Sequence, residues 1–170
     1  MNFETRGRIA APVALVFGLG RLPAPGTFGS LAALPLAWVT HALGGIVALI
    51  VLTIAIWVLG YWASFEFLER SDQHDLDPPE VVIDEVVGQL IALWPLSWGL
   101  TVAGTDPWVF PWPGWIGGFL LFRFFDIVKP WPISLANKPG AFMLMIDDVV
   151  AGLIAGAVML LGAAVAHGWF

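Results

Sequence analysis

Apolar residues in this chain come in long unbroken runs, not in the alternating pattern of a half-buried strand or the narrow stripe of a surface helix. The clearest run is residues 46–67, which carries no charge before Glu66. At a helical rise of about 1.5 Å per residue it is long enough to cross a hydrocarbon core of about 30 Å. A shorter run, residues 27–41, begins at Thr27 or Ser30 as a cap and is broken by Gly44-Gly45. Further runs cover residues 83–102, 115–128 and 146–166, and the second of these stops at Lys129-Pro130, where proline cannot continue a helix. Polar connections separate them: an acidic stretch ending in Pro78-Pro79, a Trp- and Pro-containing segment at 105–114, and a loop at 131–145 with Pro132, Pro139 and Gly140. Residues 9–20 follow Arg6 and Arg8 but are too short to span, and no small-residue cleavage site comes after them. They read as an interfacial or re-entrant helix and not as a removable signal peptide. The pattern predicts an all-α fold: a polytopic membrane helical bundle of about five spanning helices plus this N-terminal helix, in a single domain over residues 1–170.

Composition sharpens the picture. The chain is 59% hydrophobic and 12% charged, against about 25% charged residues in a soluble domain. A net charge of −6 argues against a nucleic-acid surface, and the absence of cysteine excludes thiolate chemistry and disulfides. With five alternating spans, one membrane face receives Arg6, Arg8, Arg21, Arg70, Lys129 and Lys138, with Arg123 near its boundary. The opposite connections hold no Lys or Arg, so the basic face is expected to be cytoplasmic. The same count brings Thr27, Asp75, Asp84, Glu85, Asp126, Asp147 and Asp148 to that level. Trp108, Trp112 and Trp115 suit an interfacial aromatic belt at the other.

Those acids are the candidate chemistry. Carboxylates inside apolar runs are tolerated where they face a polar cavity or a cation. Asp84, Glu85, Asp126, Asp147 and Asp148 offer hard oxygen ligands of the kind Mg²⁺ shares with substrate phosphate. Adjacent helical residues point about 100° apart, so one member of each Asp-Glu or Asp-Asp pair is expected to face the metal. The turn Pro25-Gly26-Thr27-Phe28-Gly29-Ser30 suits an anion, with Thr27, Gly29 and Ser30 as binding groups at a helix start. Arg123 and Lys129 can neutralise phosphate oxygens. His74-Asp75 is a possible proton relay or further ligand. Each feature also has a plainer reading: acids favoured at helix starts, Asp126 paired with Arg123 or Lys129, a glycine turn that only caps, and His74-Asp75 as a solvated loop pair.

Together the segments Pro25-Gly26-Thr27-Phe28-Gly29-Ser30-Leu31, His74-Asp75, Val82-Ile83-Asp84-Glu85-Val86-Val87-Gly88, Phe122-Arg123-Phe124-Phe125-Asp126-Ile127-Val128-Lys129-Pro130-Trp131-Pro132-Ile133 and Met145-Ile146-Asp147-Asp148-Val149-Val150-Ala151-Gly152 resemble the phosphatidylglycerophosphatase A family. These are bacterial membrane lipid phosphatases. The resemblance implies Mg²⁺-dependent removal of the terminal phosphate of phosphatidylglycerophosphate to give phosphatidylglycerol, at the cytoplasmic side of the inner membrane. It implies a catalytic set of Asp84, Glu85, Asp126, Asp147, Asp148 and Lys129, with phosphate held by Thr27, Gly29, Ser30, Arg123 and Lys129. A water activated by the metal is the expected nucleophile, with direct carboxylate attack as the alternative. Two other classes compete. A CDP-alcohol phosphotransferase would need its extended Asp-Gly…Ala-Arg…Gly…Asp pattern on one helix, which is missing. A membrane ion carrier would need acids along the whole path, whereas these gather near one face. Oligomeric state is not encoded in these patterns.

Overall fold

A computed structural model describes residues 3–70, 78–109, 111–135 and 140–167. Among them every regular element is helical: α1 (Phe3–Ala14), α2 (Pro25–Leu68), α3 (Ile83–Ala92), α4 (Trp94–Val102), α5 (Trp112–Val128) and α6 (Ala141–Ala166), with short 3₁₀ turns at Val16–Arg21 and Ile133–Leu135. The all-α expectation holds; the count of five spanning helices does not. Among the described residues, two helices are long and apolar enough to cross a membrane, Pro25–Leu68 and Ala141–Ala166. The runs at 27–41 and 46–67 form the two helical arms of α2, which meet where Gly44 and Gly45 depart from helical geometry. Gly45 sits at φ 60°, a conformation open to glycine. The run at 83–102 is divided at Leu93, just before Pro95, into helices of 10 and 9 residues. α5 has 17 residues, starting at Trp112 behind Pro111. The N-terminal helix also begins earlier than residue 9 and ends at Ala14.

Contacts made by α2 show that its two arms fold back on each other. A Cβ on Gly29 would lie 2.9 Å from the Val82 carbonyl, and one on Gly45 would lie 3.1 Å from Thr101 Oγ1. Past the bend, Trp94 Nε1 donates to Thr53 Oγ1 at 3.3 Å, and a Cβ on Gly60 would meet Ile83 at 2.9 Å. Both arms therefore run along the α3–α4 rod, the first upward and the second back. His41 Nδ1 and Ser97 Oγ, 2.8 Å apart, tie the first arm to α4.

α3 is the central element. Its Val86 and Leu90 pack with Ala33, Ala37 and Leu49 of α2 and with Trp115 of α5. Ile83, Val87 and Ile91 pack with Ala63 and Met145. Ala92, Phe122, Ala151 and Ala155 make a third cluster where α3, α5 and α6 meet. The outside is apolar as well: Val47, Val51, Val58, Leu120, Ile127, Leu161 and Val165 are exposed, while Asp84, Asp126, Asp147 and Asp148 are buried. Only 11% of the most apolar stretch of α2 is buried, and 28% of that of α6. A water-soluble fold puts such helices inside and its acids outside, so this inverted distribution fits hydrocarbon.

Candidate active site

The close approach of α3 to α6 builds the site. A Cβ on Gly88 would overlap the Phe122 ring and lie 2.7 Å from the Asp148 carbonyl, and one on Gly152 would overlap the Gly88 carbonyl and lie 3.1 Å from Ile91 Cβ. Glycine at both positions lets two backbones touch, as small residues do between membrane helices. Asp84 and Glu85 in the first turn of α3 thereby come alongside Asp148 of α6. Ligand oxygens of Asp84, Glu85 and Asp148 lie within 4.8 Å of one another. Asp126 of α5 is near enough to interact electrostatically with both Glu85 and Asp148.

The two acid pairs are used differently. In each, the first carboxylate accepts from the backbone N–H of the second residue, at 3.1 Å in both cases. Beyond that, Asp147 pairs with Lys129 while Asp148 joins the cluster. At Asp84-Glu85 both members join it, contrary to the expectation of one per pair. Asp147 and Asp148 stand nearly two turns inside α6, which starts at Ala141, so the helix-start reading fails for them. It stands for Asp84 and Glu85. Arg123 binds Asp126 at 2.5 Å across one helical turn, as the plainer reading of Asp126 had it, yet both remain beside the cluster.

An open cleft of about 260 Å³ lies next to these acids, walled by Ala24, Pro25, Gly26, Pro79, Val81, Glu85 and Arg123. The start of α2 thus faces the cleft, though the proposed anion groups are placed unevenly. Ser30 is buried and its hydroxyl donates to the Gly26 carbonyl at 2.8 Å. Gly29 is pressed against Val82, and Thr27 is half-buried in the first turn. Lys129, at φ 43° where α5 ends, reaches Asp147 and does not wall the cleft. His74 and Asp75 lie outside the described residues.

Sequence reasoning missed Gly26. A Cβ there would run into Glu85 Oε1 and approach the Arg123 guanidinium to 3.0 and 3.2 Å. Its place in the motif was visible, but the approach of Arg123 from α5 was not. Replacing Gly26 by Ala is expected to fill the cleft and raise KM for a phosphate-bearing lipid by tenfold or more, about 1.4 kcal/mol of lost binding; an unchanged KM would place substrate elsewhere. Gln89, fully buried one turn beyond Glu85, was also missed.

Three carboxylates this close repel one another by about 3 kcal/mol per pair at an effective dielectric of about 20. Asp148 Oδ2 is buried without a hydrogen-bond partner. Clustered oxygen donors with an unsatisfied buried oxygen among them fit a hard divalent cation. The arrangement can bring such a cation against an anion lodged between Gly26 and Arg123.

Comparison with known proteins places the chain among relatives. The family model described as Phosphatidylglycerophosphatase A matches residues 12–163. Phosphatidylglycerophosphatase A of Haemophilus influenzae is 35% identical over 149 residues, 84% of this chain and 82% of that protein. Phosphatidylglycerophosphatase A of Escherichia coli is 32% identical over 161 residues, covering 92% and 83%. A Bacteroides thetaiotaomicron protein assigned provisionally as a phosphatidylinositol-3-phosphatase is 38% identical over 146 residues, covering 81% and 82%. No solved structure matches the chain. Acid cluster, glycine-lined cleft and relatives lead to one conclusion: the chain belongs to the phosphatidylglycerophosphatase A family.

Proposed function

We propose that this protein removes the terminal phosphate of phosphatidylglycerophosphate, giving phosphatidylglycerol, with Mg²⁺ as cofactor. The observation that carries the reading is the meeting of Asp84, Glu85 and Asp148 beside a cleft that contains Arg123. The family relationship supplies the substrate.

Asp84, Glu85 and Asp148 would hold Mg²⁺, with Asp126 beside them. Bound there, the metal supplies Lewis-acid polarisation of a phosphoryl oxygen. The substrate phosphate enters between Gly26 and Arg123. Arg123 neutralises part of its charge, and the start of α2 directs a favourable dipole at it together with Thr27. Asp126 fixes the guanidinium through its ion pair. Lys129 and Asp147 brace α5 against α6, so the two helices that carry Asp126 and Asp148 keep their spacing. Hydrolysis forms a bond from water oxygen to phosphorus and breaks the ester bond; the leaving glycerol oxygen takes up a proton.

The setting we infer is the bacterial inner membrane, crossed several times, with the cleft at the cytoplasmic face. Support comes from the folded-back arms of α2, the apolar exterior, and the pairing of Arg123 and Lys129 with acids beside the cluster. The Bacteroides relative raises a second reading, phosphate removal from an inositol lipid. Phosphate release by purified protein from phosphatidylglycerophosphate, phosphatidylinositol-3-phosphate and phosphatidic acid, with Mg²⁺ and with a chelator, tests both. The expected result is turnover of phosphatidylglycerophosphate that chelator abolishes and Mg²⁺ restores. Preference for the inositol lipid would move the substrate, and turnover untouched by chelator would remove the metal.

A further inference from the structure

Gln89 is fully buried, and neither its Oε1 nor its Nε2 has a hydrogen-bond partner. A buried amide left without partners is costly. An apolar side chain of the same shape would avoid that cost. Packing therefore does not explain a carboxamide at this position.

Its surroundings do. Gln89 follows Glu85 by four residues on α3, so the two stack on one face of the helix. Glu85 Oε1 is turned toward Gly26 in the cleft. Glu85 Oε2 is buried and, like Gln89, has no partner; Arg123 Nε is a third orphan of the same kind. Gln89 is not among the residues that wall the cleft, so it stands behind Glu85 and not beside substrate. Orphaned donors and acceptors on one helix face, as at Glu85 and Gln89, are the setting in which a buried water, with two to four polar partners, becomes part of a structure.

We propose that Gln89 is a positioning residue for Glu85: through one buried water its carboxamide holds Glu85 Oε2, so that Oε1 stays aimed into the cleft. The water accepts from the Gln89 amide N–H or donates to its carbonyl, and donates to Oε2. Without this tether Glu85 can swing between rotamers, and the oxygen next to the phosphate is no longer fixed. The inference rests on the proposed phosphatase reading.

Gln89→Met, close in volume, and Gln89→Leu provide the test. Both are purified alongside the wild type and compared on whichever lipid monophosphate the wild type cleaves. Three quantities are read: kcat, KM and the thermal midpoint of the metal-free protein. The expected result is kcat lowered by about ten- to a hundredfold, as for loss of a partner that orients a ligand, with KM near wild type and a midpoint equal or higher. Wild-type kcat in either variant overturns the inference. So does a midpoint that falls in both variants, which would make the carboxamide a structural group. A wild type inactive on every lipid monophosphate removes the phosphatase reading and this inference with it, whereas an active wild type matched by Gln89→Met removes the inference alone.

Discussion

Asp148→Asn is expected to lower phosphate release by at least about a thousandfold, equivalent to about 4 kcal/mol of barrier, while the protein becomes no less stable. Asp148 contributes one of the three clustered ligand atoms, and its Oδ2 is buried without a partner. Asparagine keeps the shape but removes the charge that would hold a cation. The same charge opposes Asp84, Asp126, Asp147 and Glu85 in the metal-free protein, so its removal relieves repulsion. A rise of about 2–4 °C in the metal-free thermal midpoint corresponds to about 1 kcal/mol for a chain of this size. Opposite signs for stability and turnover mark a site held together against its own electrostatics for a functional reason. Kinetics and thermal scans of one purified variant check both. Turnover within a few fold of wild type would take Asp148 out of the site.

Gly152→Val is the second large effect, and it acts without touching any acid. A side chain at Gly152 would overlap the Gly88 carbonyl and crowd Ile91. α6 must then back away from α3, and Asp148 leaves Asp84 and Glu85. Overpacking of this kind costs about 1–3 kcal/mol, and an ångström of misplacement at reacting groups is worth about a hundredfold in rate. Both losses are expected together, as a lower midpoint and at least a hundredfold lower kcat. Gly162→Val provides the control on the same helix: nothing lies within 4 Å of a Cβ there, so stability and turnover should stay at wild type. Equal behaviour of the two variants would refute the claim that the α3–α6 crossing sets the acid geometry.

Particular residues show how far reading the chain went. The five acids were picked out because carboxylates in apolar runs need a local reason to exist. Their gathering at one level was expected from five alternating spans, a count the structure does not keep; Asp84, Glu85 and Asp148 meet where α3 and α6 touch at Gly88 and Gly152. The reversal at Gly44-Gly45 was legible as the break between two runs of opposite direction, but not the direct abutment of the two arms, because a pair of glycines specifies freedom and not an angle. The start of α6 was placed at residue 146 instead of Ala141, since Phe142-Met143-Leu144-Met145 gives an apolar run no internal marker. That error left open a helix-start reading of Asp147-Asp148 that five further residues of helix exclude. Arg123 was read as pairing with Asp126 at i, i+3, and that local spacing holds. Its approach to Gly26, about a hundred positions away, follows no such rule.

Sequence by itself determined the helical class, the apolar exterior and the identity of the groups that carry charge, because each depends on residue type and local spacing. Only the tertiary structure decided which of those groups share a site. It separated Asp148, in the cluster, from Asp147, held by Lys129; it set Gly26 against Glu85 and Arg123; and it buried Gln89 one turn beyond Glu85. The physical reason is that helices approach as closely as their smallest facing residues allow. The pairing of Gly88 with Gly152 is therefore a property of two surfaces in contact, which neither stretch of chain contains alone.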